Sequence, residues 1–209
     1  MKLKLPKIIP IFPLEGVIYF PKTNLPLNIF EDRYLALVDD CIKNDKLMGM
    51  VQSKKDTNDV YQVGCLGKIS EYKKSKDKRL IINLTGICRF HIKTEINNNK
   101  LYREFEVDYG KFNEDTATKD EDKFEGNIEN IREKVKFFFK RNGLLLNWNE
   151  FEKLDINQQI NTLAMIAPIS NEEKQTLLES VGLANKSKTL SEIIEFYLHQ
   201  TNSENSTIQ

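Results

Sequence analysis

Three cysteines, two histidines and one tryptophan in 209 residues leave this chain short of the side chains that most catalytic and metal chemistry needs. Cys41, Cys65 and Cys88 are too few and too widely spaced for a disulfide scaffold, and an odd count leaves one unpaired. Reduced, half-buried thiols are expected. Cys88 and His91 stand three apart on a strand-like run, where side chains point to opposite faces, and His199 is the only other histidine, so no metal site is expected. A hydrolase is equally poorly served: there is no G-x-S-x-G elbow, and two histidines leave little for a nucleophile to use as its base. Charge of one sign is not in excess either. Lys plus Arg and Asp plus Glu number 31 each, so no global field draws the chain to nucleic acid or an acidic membrane. No run approaches the roughly 18 apolar residues that span a bilayer. Met1-Lys2-Leu3-Lys4 opens like a secretory signal, but Pro6, Pro10, Pro13 and Glu15 interrupt any apolar segment and no small-residue cleavage site follows. A cytoplasmic protein is expected.

What the chain does have is a 40% hydrophobic content, enough to bury a core in one domain or two small ones. It also has a proline-rich entry, with five of its six prolines in the first 26 residues. Proline fixes φ and cannot donate to a sheet ladder, so the apolar segments it interrupts read as short strands and tight bends. Asn28-Ile29-Phe30-Glu31 then has the form of a capping box, and Tyr34, Leu37, Val38, Cys41 and Ile42 recur at helical spacing, which predicts one inserted helix. From Leu47 to Tyr109 the period is two. Cys88, Phe90 and Ile92 fall on one face of a strand and Arg89, His91 and Lys93 on the other, while Phe105, Val107 and Tyr109 repeat the alternation. Lys73 to Arg79 and Asn97-Asn98-Asn99 read as turns between strands.

The periodicity lapses between Asn113 and Asp122, a candidate linker, and becomes helical afterwards. Phe124, Ile128, Ile131, Val135 and Phe138 form one stripe, and Gly143 is placed to stop that helix in a left-handed cap. Asp155 with Gln158, Ser170 with Glu173, and Thr189 with Glu192 have capping-box spacing. Pro168 separates two helices, and the polar tail, Thr201 to Gln209, is expected to be disordered. The expectation is an α+β protein: a β-rich pseudo-barrel with one inserted helix over residues 1–112, a linker over 113–122 and a helical bundle over 123–200.

Two ordered blocks carry a family resemblance. The opening from Pro10 to Tyr34 is similar to P-x-F-P-L-x-x-x-x-x-F-P-x-x-x-x-P-L-x-I-F-E-x-R-Y, a pattern of the N-terminal, substrate-recognising domain of Lon-type ATP-dependent proteases. Tyr61-Gln62-Val63-Gly64-Cys65-Leu66-Gly67-Lys68-Ile69, followed by Leu84 to Ile92, resembles a second block of the same family, with a looser echo at Glu173 to Glu179. The resemblance implies a PUA-like barrel and binding of unfolded or partly folded polypeptides through apolar grooves and exposed strand edges. It also admits a full-length Lon-type protease as a partner. The family's ATPase and proteolytic modules have no counterpart in these 209 residues, so the resemblance implies recognition without catalysis, and no cofactor.

Other chemistry fares worse. Gly16 to Thr23 misses the P-loop pattern G-x-x-x-x-G-K-[ST] by one residue, because Pro21 stands where the second glycine belongs and offers no N–H to a phosphate. The basic run Lys73 to Arg79 is the best nucleic-acid candidate, and PUA-like barrels also serve RNA-binding modules. Asp77 interrupts the run and only Tyr72 flanks it for stacking, so a solvated turn is the preferred reading. Phe137-Phe138-Phe139 offers a sticky patch, of which Phe138 belongs to the helix stripe and a neighbour should cover at least one other ring, any exposed remainder being a partner surface. Within the family blocks, Leu14, Leu27, Phe30 and Phe90 read as core, and Gly64 and Gly86 as turns or close approaches. Glu31, Arg33 and Arg89 remain the candidate site residues, as a bidentate fold clamp or as a polar handle for a bound peptide, with the clamp preferred.

Overall fold

Prolines in strands need a place where a missing N–H does no harm, and the opening strand supplies it twice. In the computed structural model, which describes residues 5–55, 57–77, 79–116 and 128–204, strand β1 (Ile8–Leu14) pairs antiparallel with β6 (Arg103–Asp108) through Ile8–Ile11 and parallel with β3 (Leu47–Gln52) through Ile11–Leu14. Pro10 falls in the half paired with β6 and Pro13 in the half paired with β3. Each proline therefore sits where the ladder is one-sided.

Strand β3 pairs antiparallel with β4 (Val63–Lys74), and β4 with the 17-residue β5 (Leu80–Ile96). The far end of β5 turns onto β6, so β1, β3, β4, β5 and β6 close into a pseudo-barrel, with β2 (Asn24–Ile29) laid along the first half of β5. The architecture is α+β and PUA-like. Ile9, Ile11, Val51, Leu66, Phe90 and Phe105 are among the buried side chains that fill the barrel. A side chain such as Phe90, at 0% exposure, contributes about 1.5–3 kcal/mol by leaving water. Alternation does not show along β3, all six residues of which are buried. Leu47 and Val51 point into the barrel, and the opposite face, with Met48 and Met50, is covered as well.

Helix α1 (Asp32–Lys43) is inserted between β2 and β3 and buries Tyr34, Leu37, Val38 and Cys41. The Tyr34 ring lies 4.3 Å from that of Phe12, which faces away from the barrel interior. The expected capping box at its start does not form. Asn28 is instead paired with Ile81 in the sheet, and the residue at the N-cap is Glu31, whose side chain makes no cap bond. Phe30, expected in the core, is 64% exposed. At Gly86 a Cβ would stand 2.1 Å from the carbonyl oxygen of Phe20, so only glycine lets the Phe20–Thr23 turn dock there through Lys22 N–H to Gly86 O (3.0 Å) and Gly86 N–H to Thr23 O (2.9 Å).

The helical part comprises α2 (Ile128–Arg141), α3 (Trp148–Phe151), α4 (Ile156–Ile166), α5 (Asn171–Glu179) and α6 (Leu183–Glu204). The stripe Ile131, Val135 and Phe138 is buried as its spacing predicts; Phe124 lies outside the described residues. Gly143, at φ +69°, ends the chain's departure from α2 in the left-handed region. Both halves of the Asp155–Gln158 and Ser170–Glu173 boxes are present. The third expected box is not, because Thr189 and Glu192 lie inside α6. That helix continues to Glu204, past the start of the expected tail, whose last residues, 205–209, lie outside the described residues.

The chain divides into two compact units, Met1–Ala117 and Thr118–Gln209. Its overall neutrality conceals an asymmetry between them. The first carries 20 Lys and Arg against 16 Asp and Glu (net +4), the second 11 against 15 (net −4). Of the residues expected in the linker, Asn113–Thr116 belong to a kinked 3-10 segment (Gly110–Thr116), and 117–122 lie outside the described residues.

Candidate functional site

The three candidate residues occupy two places. Glu31 and Arg33, at the start of α1, line an open cleft of about 650 Å³ in the first unit, together with the end of β1 (residues 13–15), Tyr34, the connection after β3 (Ser53 and residues 57–59) and Arg103 of β6. Arg89 lies apart from it, in the wall of the barrel.

Burial and ring packing set the apolar side of the cleft. Tyr34 is anchored by Phe12 and points its hydroxyl toward the carbonyl of Pro13 at 3.5 Å; burial pushes its phenol above the usual range. Arg33 stacks its guanidinium 4.6 Å from the Tyr34 ring centre and donates from Nε to Glu31 Oε2 at 3.0 Å. Both members of this pair remain half exposed, so it contributes little to stability. Arg103 closes the other side. Its Nε and Nη2 each donate to Glu95 at 2.7 Å, Nη1 donates to the Asn58 carbonyl at 3.0 Å, and the group stacks 4.9 Å from the Phe105 ring. Hydrogen bonding from Arg103 draws the Glu95 carboxyl below the usual carboxylate range. The connection after β3 is thus tied across its base by the Ser53–Val60 bridge and held at Asn58 by Arg103.

Arg89, expected on the solvent face of β5, is 3% exposed. Asp115 from the 3-10 segment accounts for the difference. Its Oδ2 accepts from Arg89 Nε at 2.9 Å and from the Arg89 backbone N–H at 2.8 Å, while Oδ1 accepts from Nη2 at 2.7 Å. The guanidinium also stacks 4.4 Å from the Phe112 ring. This is a bidentate pair out of water, with side chains 4% and 7% exposed. Asp115 was invisible as a partner in the sequence, because it lies 26 residues away in a stretch that reads as polar and aperiodic.

Three backbone amides of the near-miss P-loop are already engaged: Phe20 N–H with Thr23 Oγ1, Thr23 N–H with Phe20 O, and Lys22 N–H with Gly86 O. In the basic hairpin, Lys74 lies 3.6 Å from Asp39 and Arg79 3.0 Å from Asp77, so two of its cations already stand beside carboxylates. The outer edge of β2 carries Pro26 at mid-strand, which blunts it as a template for another strand. Cys88 is buried and His91 exposed, so the two do not face one another. Burial pushes the thiols of Cys41 and Cys88 up to about 12, which leaves them protonated at neutral pH. Phe138 and Phe139 are covered and Phe137 is 60% exposed. Among the described residues no helix is long and apolar enough to cross a membrane.

Comparison with known proteins covers both units. The model of the ATP-dependent protease La (LON) substrate-binding domain matches residues 8–195. Lon protease of Syntrophus aciditrophicus is 26% identical over 93% of this chain and 26% of its own length. Lon protease of Desulfosudis oleivorans is 24% identical over 90% of this chain and 24% of its own. The chain thus spans about a quarter of the length of these curated relatives. The crystal structure of a Lon N-terminal domain protein from Xanthomonas campestris superposes with a TM-score of 0.64 at 20% identity, covering 88% of this chain and 96% of that one. The N-terminal domain of Mycobacterium avium complex Lon protease gives 0.62 at 15%, covering 90% and 98%.

Proposed function

Since this chain belongs to the ATP-dependent protease La (LON) substrate-binding domain family, we propose that it is a non-enzymatic polypeptide-binding module that takes unfolded or partly folded segments into the cleft beside α1. The observation that carries this reading is the extent of the family match, residues 8–195, which includes every element lining the cleft. The cleft suits the task. It is open, has an apolar wall in Pro13, Leu14 and the Tyr34 ring, and a polar rim, so it accommodates varied sequences without a single fixed pocket. The edge of β2 suits it less, since strand addition needs donors that Pro26 does not supply.

On this reading Glu31 and Arg33 form the polar handle at the mouth of the cleft, and Arg89 is the fold clamp. A full-length Lon-type protease is the partner such a module would serve, in the cytoplasm. The net charge of +4 on the first unit favours RNA as the second reading, but the pairing of Lys74 and Arg79 with carboxylates weighs against it.

Amide hydrogen exchange with a permanently unfolded polypeptide locates the site. The expected footprint is slowed exchange at residues 53–61 and at the start of α1, with the hairpin at residues 73–79 unchanged. Protection confined to that hairpin, or to the helical unit, contradicts the assignment.

A further inference from the structure

We propose that the cleft selects segments in which a lysine or arginine adjoins an apolar residue, a preference that rests on the cleft being the polypeptide site. Its two cations are already committed within the molecule. Arg33 is paired with Glu31 at 2.8 Å, and Arg103 is held by both oxygens of Glu95 and by the Asn58 carbonyl. Arg103 engages all three of its guanidinium nitrogens in these bonds, and the charge of the half-exposed Arg33 is offset by the Glu31 carboxylate beside it.

The carboxylates are not used up in the same way. Glu15 and Asp59 also line the cleft, both are exposed, and among the described residues neither takes part in an ion pair. Asp59 does share the field of Arg103, though Glu95 holds that group far more closely. Among the lining residues Glu15, Glu31 and Asp59 stand against Arg33 and Arg103, three negative charges against two positive, a local net of −1 on a unit whose total is +4, and Glu95 behind Arg103 offsets that cation further. The negative surplus is therefore a property of this cleft and not of the surface around it.

Shape agrees with charge. Lysine and arginine carry a long alkyl stem under a charged head, and they settle where an apolar wall lies beside a polar rim. Pro13, Leu14 and the Tyr34 ring offer the wall, and Glu15 and Asp59 stand among the same lining residues. An acidic side chain in the same position meets two unpaired carboxylates instead, and is repelled.

The test is a fluorescence-anisotropy titration of three labelled peptides, identical except for a central Leu-Lys, Leu-Gln or Leu-Glu, at about 50 mM salt, where charges are screened over roughly 14 Å or less. The expected order is Lys, then Gln, then Glu, with about tenfold or more between the first and last. In the variant carrying both Glu15→Gln and Asp59→Asn, that ratio should fall to about twofold. Both sites are exposed, so the variant should retain the wild-type circular dichroism and Tm. Equal affinity for all three peptides, with binding still lost when the cleft is blocked by Thr57→Trp at its lining, overturns the charge preference and leaves the polypeptide reading standing. A preference for Glu overturns it likewise. If none of the peptides binds, or blocking the cleft changes nothing, the polypeptide reading fails and the preference falls with it.

Discussion

Arg89→Ala should lose about 3–5 kcal/mol of stability in equilibrium urea unfolding, the cost of leaving a buried charge without its partner. Three contacts join this arginine to Asp115, two from the guanidinium and one from the backbone N–H, and neither side chain reaches water appreciably. Asp115→Ala should cost a comparable amount, because it removes the carboxylate that accepts from both the guanidinium and the Arg89 amide. The double replacement Arg89→Met with Asp115→Leu should recover a large part of the loss, since no buried charge then remains; what it cannot restore is a partner for the amide. A midpoint for Arg89→Ala that corresponds to less than about 1 kcal/mol would show that the pair does not clamp the 3-10 segment to β5. The comparison also separates a clamp from a binding residue, because only the clamp moves stability in the absence of ligand.

RNA and polypeptide should separate by salt. A ligand held through about six or more phosphates loses roughly a thousandfold or more in affinity between 50 and 200 mM salt, whereas apolar burial has no such dependence. An unfolded polypeptide should accordingly lose no more than several-fold over that range, the part owed to one or two charges in the cleft, and RNA should bind weakly and be released. Reversing Lys74, Lys76 and Arg79 to glutamate should leave polypeptide binding intact, since the hairpin contributes nothing to the cleft lining. If RNA binds tightly at physiological salt and the triple reversal abolishes it, the RNA reading is right and the polypeptide reading is not.

The fold was legible wherever periodicity or punctuation is local. Tyr34, Leu37, Val38 and Cys41 announced α1, Ile131, Val135 and Phe138 announced α2, and Asp155 and Ser170 marked the helix starts that they cap. Errors arose where a partner distant in sequence decided the outcome. Asn28 looked like a helix cap but is taken by Ile81 of β5, because six consecutive residues of β2 find partners in the sheet. Thr189 and Glu192 had capping spacing with no helix boundary between them. Phe30 read as core within the family motif, yet it follows the last paired residue of β2 and faces solvent.

The candidate cleft was half legible by the same reasoning. Glu31 and Arg33 were visible because they sit in a dense motif, and their mutual pairing is local, two residues apart. Asp115, Arg103 and Glu95 were not singled out. Arg103 matters through a carboxylate on the neighbouring strand and a carbonyl 45 residues earlier, contacts that only the barrel's closure creates. The spacing of Arg89 on an alternating strand even pointed the wrong way, since alternation assigns faces but does not say whether a later segment will cover the outer one.

The central claim, that unfolded polypeptide docks in the cleft beside α1, is tested most directly by filling the cleft. Thr57 is an exposed residue of its lining, on the connection held by Arg103, so Thr57→Trp adds bulk there without disturbing the barrel core. Titration of a permanently unfolded, fluorescently labelled polypeptide against wild-type and Thr57→Trp protein should show affinity falling about tenfold or more at unchanged Tm. Binding that is equally tight in the two proteins, with the same Tm, would contradict the claim.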